Sequence, residues 1–144
     1  MKTNLVFYGA NDSVRTAVCK AVGERLDMIF CDMDDLIVYE SRRYTPEHAI
    51  TAYKEMEAWV AEQVSEYVDV VVGASARIFE TAANIELLAR GGVLIYLNTG
   101  HGAPELRACA DIVIDAANRS PEEIFGESLV ALSRWEERIE REVF

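Results

Sequence analysis

Short apolar runs alternate with longer amphipathic stretches along the chain. The runs are rich in β-branched residues and predict strands at five places: Asn4 to Tyr8, Met28 to Cys31, Val68 to Val72, Val93 to Leu97 and Asp111 to Asp115. The runs that begin at Val68 and Val93 are apolar almost throughout, as expected for parallel strands buried on both faces. Strands that alternate with helices indicate an α/β fold with a parallel sheet of about five strands.

Between the strands, apolar residues recur at intervals of three and four, the spacing of an amphipathic helix. These stretches predict five helices: about Ser13 to Arg25, Leu36 to Arg43, Thr45 to Glu66, Glu80 to Arg90, and Ser120 to nearly the end of the chain. Thr45-Pro46 and Ser120-Pro121 each place a capping residue before a proline, which is typical of a helix N-terminus. His48 follows the first of these pairs, and we expect it to be structural.

The composition is that of one acidic domain. The 144 residues are 51% hydrophobic and contain no repeat or linker, so we expect a single domain over residues 1–144. A net charge of −11 argues against nucleic acid and anionic membrane surfaces as partners. The apolar runs are too short to span a bilayer and no signal peptide is visible, so we expect a cytoplasmic protein. Cys19, Cys31 and Cys109 are widely spaced, which favours free thiols over a zinc site.

A candidate phosphate-binding loop follows the first strand. Residues 9–16 read Gly-Ala-Asn-Asp-Ser-Val-Arg-Thr, against the P-loop pattern G-x-x-x-x-G-K-[ST]. Gly9 and Thr16 fit this pattern, whereas Val14 and Arg15 replace its second glycine and its lysine. The candidate nucleotide-binding residues are Gly9, Asn11, Asp12, Ser13, Arg15 and Thr16.

The same residues allow simpler roles. Asp12 and Ser13 are common capping residues and would then begin the first helix. Arg15 would hold an anion at this helix N-terminus, or would pair with Asp32 or Asp34 across the site.

Acidic residues follow the second strand, at the edge of the sheet where α/β proteins bind ligands. Asp32 and Asp34 are candidates for ligand contact there, or else they, with Asp35, cap the following helix. A receiver domain also carries such a cluster, but it needs an aspartate after its third strand and a lysine after its fifth. The third strand here ends at Gly73 and no such lysine follows, so we set that class aside.

The order of these pieces resembles shikimate kinase, a member of the nucleoside monophosphate kinase-like P-loop fold. The resemblance rests on these pieces, in chain order: Asp32 to Asp34 for an Asp-x-Asp, Tyr53 to Glu57 for a Phe-Arg-x-x-Glu, Val72 to Ala76 for a Gly-Gly-Gly run, Val93 to Leu97 for a Val-Val-Tyr-Leu strand, Pro104 through Asp115 for a Pro-Leu-Tyr…Ala-Asp region, and the final capping box at Ser120. It covers nearly the whole chain and implies a three-layer α/β/α architecture.

The resemblance also implies a site. If the chain is a kinase, its cofactors are ATP and Mg²⁺, with Thr16 and Asp32 directed at the metal. Arg15 and Asp34 would be catalytic. Asp34, Lys54 and Gly73 would bind a shikimate-like substrate.

Several of these positions depart from the family pattern. Asp12 and Val14 stand where glycines are expected, Lys54 replaces a substrate arginine, and Gly102 replaces a second one. Only six residues separate Leu97 from Pro104, where shikimate kinases insert a helical lid with an arginine. We therefore expect a degenerate, lidless homologue that is impaired as a kinase and acts as a binding or regulatory module. The alternatives are an active shikimate kinase that uses Arg15, Asp32 and Asp34, or a small kinase for another acceptor.

Two further features have more than one interpretation. His101 lies between two glycines and is either a general base or, as we prefer, an exposed loop residue. A stripe at helical spacing on the last helix either packs on the sheet or forms a homodimer contact: Leu129, Leu132, Trp135 and Ile139. The surface that a lid would cover is a second candidate for self-association.

Overall fold

A five-stranded parallel sheet forms the centre of the molecule, as the sequence predicts. The computed structural model describes residues 2–43 and 52–143. The sheet has the order β2-β3-β1-β4-β5, and each neighbouring pair is parallel. The strands are β1 Asn4–Gly9, β2 Ile29–Asp32, β3 Val70–Ala74, β4 Gly92–Asn98 and β5 Ile112–Asp115.

Within the described residues, five helices lie between these strands and a sixth follows β5. They are α1 Asp12–Leu26, α2 Met33–Arg43, α3 Ala52–Ser65, α4 Ala82–Gly91, α5 Pro104–Ala108 and α6 Pro121–Val143. The predicted beginning of the third helix, from Thr45 past His48, lies outside the described residues. A 3-10 turn at Ala76–Glu80 and the short α5 were not predicted, because each is too short to show helical periodicity.

The helices form one layer on each face of the sheet. Successive residues of β1 alternate between the two cores: Val6 and Tyr8 point to one side, Leu5 and Phe7 to the other. The first core contains side chains of α2, α3 and α4, and the second contains side chains of α1 and α6. The three-layer α/β/α architecture expected from the sequence is therefore confirmed.

The last helix shows how local sequence and packing agree. The Ser120 hydroxyl accepts the Glu123 N–H at 3.2 Å, while the Glu123 carboxylate accepts the Ser120 N–H at 3.3 Å, which confirms the predicted capping box. Leu132 is buried and Trp135 packs against the same core. Two of the four residues of the predicted apolar stripe, Leu132 and Trp135, thus pack on the core, whereas Ile139 is exposed. Among the described helices, none has the length and apolar character that a bilayer span requires.

All three cysteines are free, as the sequence predicts. Burial raises the pKa of the Cys19 thiol to about 12 and that of the Cys31 thiol to about 11. Both thiols stay protonated at neutral pH, which makes them poor nucleophiles.

The parallel arrangement places the carboxyl ends of all five strands at one edge of the sheet. The turn from β1 to α1, the beginning of α2 and the residue after β3 meet there. The connection from β4 to α5 consists of residues 99–103 only. This edge holds the residues singled out by the sequence.

Candidate functional site

The turn between β1 and α1 is short and internally bonded. Only Ala10 and Asn11 separate the two elements. The Asn11 side-chain oxygen accepts the Val14 N–H at 2.9 Å and the Ser13 hydroxyl at 3.1 Å, so Asn11 is the N-cap of α1. The expectation that Asp12 or Ser13 caps this helix is wrong, since both already lie inside its first turn. Asn11 rather than Asp12 or Ser13 takes the N-cap position, because its backbone is extended, as an N-cap requires.

Arg15 lies buried beneath this turn and is held by two carboxylates. Its side chain is 4% exposed, and its Nη2 lies 2.7 Å from Asp12 Oδ1 and 3.5 Å from Asp34 Oδ2. The expected pairing of Arg15 with Asp34 is confirmed. The contact with Asp12 joins two positions one helical turn apart, a common spacing for ion pairs.

Asp34 is the residue on which this network converges. Its Oδ1 accepts the Ser75 hydroxyl at 3.0 Å and its Oδ2 accepts the Ser75 N–H at 3.1 Å. Burial raises the pKa of Asp34 and the nearby Asp32 raises it further, while Ser75 and Arg15 oppose this rise. The carboxyl group is therefore fixed in orientation and protonated more readily than an exposed aspartate.

Asp32 has a different role. Its Oδ1 accepts the N–H groups of Asp34 at 2.9 Å and of Asp35 at 3.2 Å, so it caps α2. The capping alternative raised from the sequence is thus confirmed for Asp32. Asp34 instead points across the site, and the Asp35 side chain is exposed to solvent.

A second ion pair lies on the α3 side of the site. Glu57 is buried, and its Oε1 lies 3.0 Å from Arg77 Nη2. Burial raises the pKa of Glu57, the nearby Arg77 and Lys54 oppose this rise, and the negative charge of Asp34 adds to it. Sequence reasoning missed this pair. The sequence feature that could have indicated it is Glu57, the last residue of the Tyr53 to Glu57 segment.

The remaining candidates are more scattered. Gly73 lies inside β3, where an added Cβ would meet the Phe30 ring at 3.2 Å, so the structure does not bring it into the Asp34 cluster. Thr16 is half-buried on α1 and Lys54 is exposed on α3. Exposed His101 lies on the wall of a cavity of about 300 Å³ that Asn11 and Arg119 also line. Within the described residues, no group of three or more His, Cys, Asp or Glu side chains is placed to hold a metal ion.

The raised pKa of Asp34 gives a testable pH dependence. Because the folded chain binds this proton more tightly than the unfolded chain, ionisation of Asp34 lowers stability as pH rises above the ordinary aspartate value. We expect Asp34→Asn to gain stability relative to the wild type as pH rises from about 4 to about 7, measured by urea unfolding. Asp35→Asn removes an exposed carboxylate one residue away and is the control. The same pH trend in both variants would contradict the prediction.

The sheet has the order β2-β3-β1-β4-β5, and the β1–α1 turn lies beside acidic side chains. This arrangement is that of the P-loop kinase fold. A solved shikimate kinase from Acinetobacter baumannii, in complex with shikimate, has a TM-score of 0.77 at 16% identity, covering 93% of this chain and 95% of that one. A gluconokinase from Sinorhizobium meliloti 1021 has a TM-score of 0.60 at 17% identity, covering 99% and 98%. At these identities the likeness shows the fold.

Sequence comparison identifies the family. The shikimate kinase family model matches residues 13–103, well over half of the chain. The chain therefore belongs to the shikimate kinase family, as the sequence motifs predicted. A shikimate kinase from Caldicellulosiruptor bescii is 28% identical over 98 residues, which are 65% of this chain. The match spans 57% of the length of that relative.

Proposed function

We propose that residues 1–144 form a single shikimate kinase-like domain that is impaired in phosphoryl transfer and acts as a binding or regulatory module. One observation carries the proposal. Arg15 stands where the resemblance places the phosphate-binding lysine, and its guanidinium is already held by Asp12 and Asp34. An entering phosphate would have to displace Asp12 and would lie beside its negative charge, which opposes binding.

The backbone of the turn supports the same proposal. A phosphate-binding loop turns several N–H groups inward around the anion, and glycines permit this geometry. Here Asp12, Ser13 and Val14 are helical, and the N–H groups of Val14 and Arg15 are bonded to Asn11. This arrangement supports the proposal that ATP binds weakly.

One of the two proposed metal ligands, Asp32, is partly engaged in another role. One oxygen of Asp32 accepts two N–H groups at the beginning of α2. Thr16 alone keeps a hydroxyl of the expected type on α1. Residues 99–103 are too few for a helical lid that excludes water and supplies an arginine. We therefore derive no chemical step through Mg-ATP.

The ligand we propose is a small hydroxylated carboxylic acid of the shikimate type. Asp34, fixed by Ser75, offers an acceptor for hydroxyl groups. On the α3 side, Arg77 is held by Glu57, and Lys54 is an exposed cation that a substrate carboxylate could approach. A nucleotide is the less favoured ligand for the reasons given above. The Acinetobacter baumannii kinase of the same fold was solved with shikimate.

An active kinase is the second candidate, and one observation favours it. Asp34 has a raised pKa and a fixed orientation, both of which suit a general base that accepts a hydroxyl proton. In that case the chain would transfer the γ-phosphate of ATP to the 3-hydroxyl of shikimate. The likeness to a gluconokinase also leaves room for another acceptor.

Calorimetric titration separates these candidates. We expect Mg-ATP and ADP to bind the purified chain weakly or not at all. The charge of Arg15 is already paired with Asp12 and Asp34, and the loop residues from Asp12 onward are helical. Shikimate should bind without nucleotide, and Asp34→Asn should weaken that binding, whereas Asp35→Asn should not. Micromolar affinity for Mg-ATP would overturn the proposal in favour of an enzyme.

A loop variant tests the cause of the nucleotide prediction. Asp12→Gly, Val14→Gly and Arg15→Lys together should raise nucleotide affinity, because they remove the competing carboxylate and restore the pattern of the loop. Asp12→Asn alone removes the carboxylate charge without adding glycines, so it separates the effect of that charge from the effect of the loop backbone. No gain in the triple variant would show that the backbone has diverged beyond these side chains.

A further inference from the structure

The 3-10 turn after β3 carries an arginine close to the residue that holds Asp34. Ser75 is the N-cap of the turn Ala76–Glu80, and its N–H and hydroxyl both donate to the Asp34 carboxylate, at 3.1 Å and 3.0 Å. Arg77 is the second residue of the same turn. The backbone therefore places Arg77 two residues from the contact that fixes Asp34.

A buried glutamate of α3 holds the Arg77 side chain. Glu57 Oε1 lies 3.0 Å from Arg77 Nη2, and because Glu57 is packed in the interior it limits the orientations of the guanidinium. Burial raises the pKa of Glu57 and the charge of Asp34 raises it further, so the two carboxylates are close enough to interact electrostatically. Glu57 thus lies near both Arg77 and Asp34.

Arg77 is open to solvent, which distinguishes it from Arg15. The Arg77 side chain is 50% exposed, whereas the Arg15 side chain is 4% exposed. A guanidinium has five N–H donors in a planar fork, so it can bind a second carboxylate while one terminal nitrogen faces Glu57. A ligand carboxylate can therefore reach Arg77 without displacing Glu57.

We propose that Arg77 binds the carboxylate of the ligand whose hydroxyl group Asp34 accepts. This inference rests on the proposed function, because it assigns the other end of the hydroxylated carboxylic acid named there. The resemblance places substrate arginines at two positions where this chain has Lys54 and Gly102. Arg77 takes over their role from a different element of the site.

The two positions of the resemblance are less suited to this role. Lys54 is exposed on α3, and an ammonium group is a point charge on a flexible stem that does not match the two oxygens of a carboxylate. At Gly102 an added Cβ would overlap the Tyr96 hydroxyl, so the folded chain has no room for a side chain there. Arg77 combines the planar fork with a buried partner that orients it.

Calorimetry with shikimate and its methyl ester tests the proposal, because the ester keeps the hydroxyl groups and lacks the negative charge. We expect the wild type to bind shikimate about tenfold to a hundredfold more tightly than the ester, the effect of a charge-assisted hydrogen bond. The double variant Glu57→Gln/Arg77→Gln should lose this preference and bind both probes with similar affinity. It removes the buried carboxylate together with its cation and keeps the net charge at −11.

Single variants separate Arg77 from the other cations. Lys54→Gln should leave the preference for shikimate nearly unchanged, and so should Arg90→Gln, a control that removes an exposed cation of α4. Arg77→Lys keeps a cation beside Glu57 but loses the planar fork, so it should keep only part of the preference, whether or not the double variant folds. Circular dichroism and urea unfolding check that each variant is folded.

The outcomes distinguish this inference from the proposed function on which it rests. Equal affinity of the wild type for shikimate and the ester, or an unchanged preference in either Arg77 variant, would overturn the inference and leave the proposed function standing. Loss of the preference in Lys54→Gln but not in the double variant would assign the carboxylate to Lys54 instead. A wild type that binds neither probe would overturn the proposed function together with this inference.

Discussion

Purified protein should release no shikimate-dependent ADP above roughly 10⁻¹ s⁻¹, because kinases turn over at about 1–100 s⁻¹ and an arginine on the transferring phosphoryl group is worth ~10³–10⁵ in rate. Among the described residues around the site, the cations are either paired with carboxylates or exposed to solvent. Arg15 pairs with Asp12 and Asp34, and Arg77 pairs with Glu57. Lys54 is exposed on α3. Residues 99–103, in the place of a lid, contain no arginine.

A coupled ADP-release assay measures this rate, with an active shikimate kinase as the positive control. High protein concentration and saturating Mg-ATP and shikimate guard against weak binding. Asp34→Asn is the informative variant, because any true turnover that uses Asp34 as the base should fall with it, whereas contaminating activity should not. Shikimate-dependent release near 1 s⁻¹ that Asp34→Asn abolishes would establish the active kinase instead.

The fold was predictable because its signals are local. Buried β-branched runs marked the strands, and a capping residue followed by proline marked the start of α6. The boundaries were less predictable. The sequence indicated that β3 ends at Gly73. In the structure β3 continues to Ala74, because Gly73 is packed inside the sheet against Phe30. Tertiary packing decided this boundary, and packing is not visible in a local pattern.

The site was predictable in its residue types but not in its partners. Asn11, Asp12 and Ser13 are all good N-caps, and only the backbone conformation selects Asn11. Asp32 and Asp34 are two residues apart, and helix capping was an open alternative for both, yet Asp32 caps α2 and Asp34 faces Ser75, 41 positions away. Such contacts depend on how the elements pack, and no sequence spacing specifies them.

Gly9→Ala should strongly destabilise the protein, by about 3–5 kcal/mol, since it combines an unfavourable backbone conformation with overpacking. Gly9 has φ +86°, a conformation that alanine rarely adopts. An added Cβ would lie 2.5 Å from the Leu97 carbonyl oxygen and 2.7 Å from the Tyr96 ring. The neighbouring atoms belong to β4 of the central sheet, so they have little room to move.

Gly100→Ala is the matched control, because Gly100 has φ +88° but no heavy atom within 4 Å of the added Cβ. It should cost only the conformational part, about 1–2 kcal/mol. Urea unfolding of both variants separates the two contributions. Equal destabilisation would show that close packing against β4 is unimportant. The expected difference instead gives the first glycine of the loop pattern a structural role that does not depend on phosphate: β1 and β4 cannot pack this closely with a side chain at position 9.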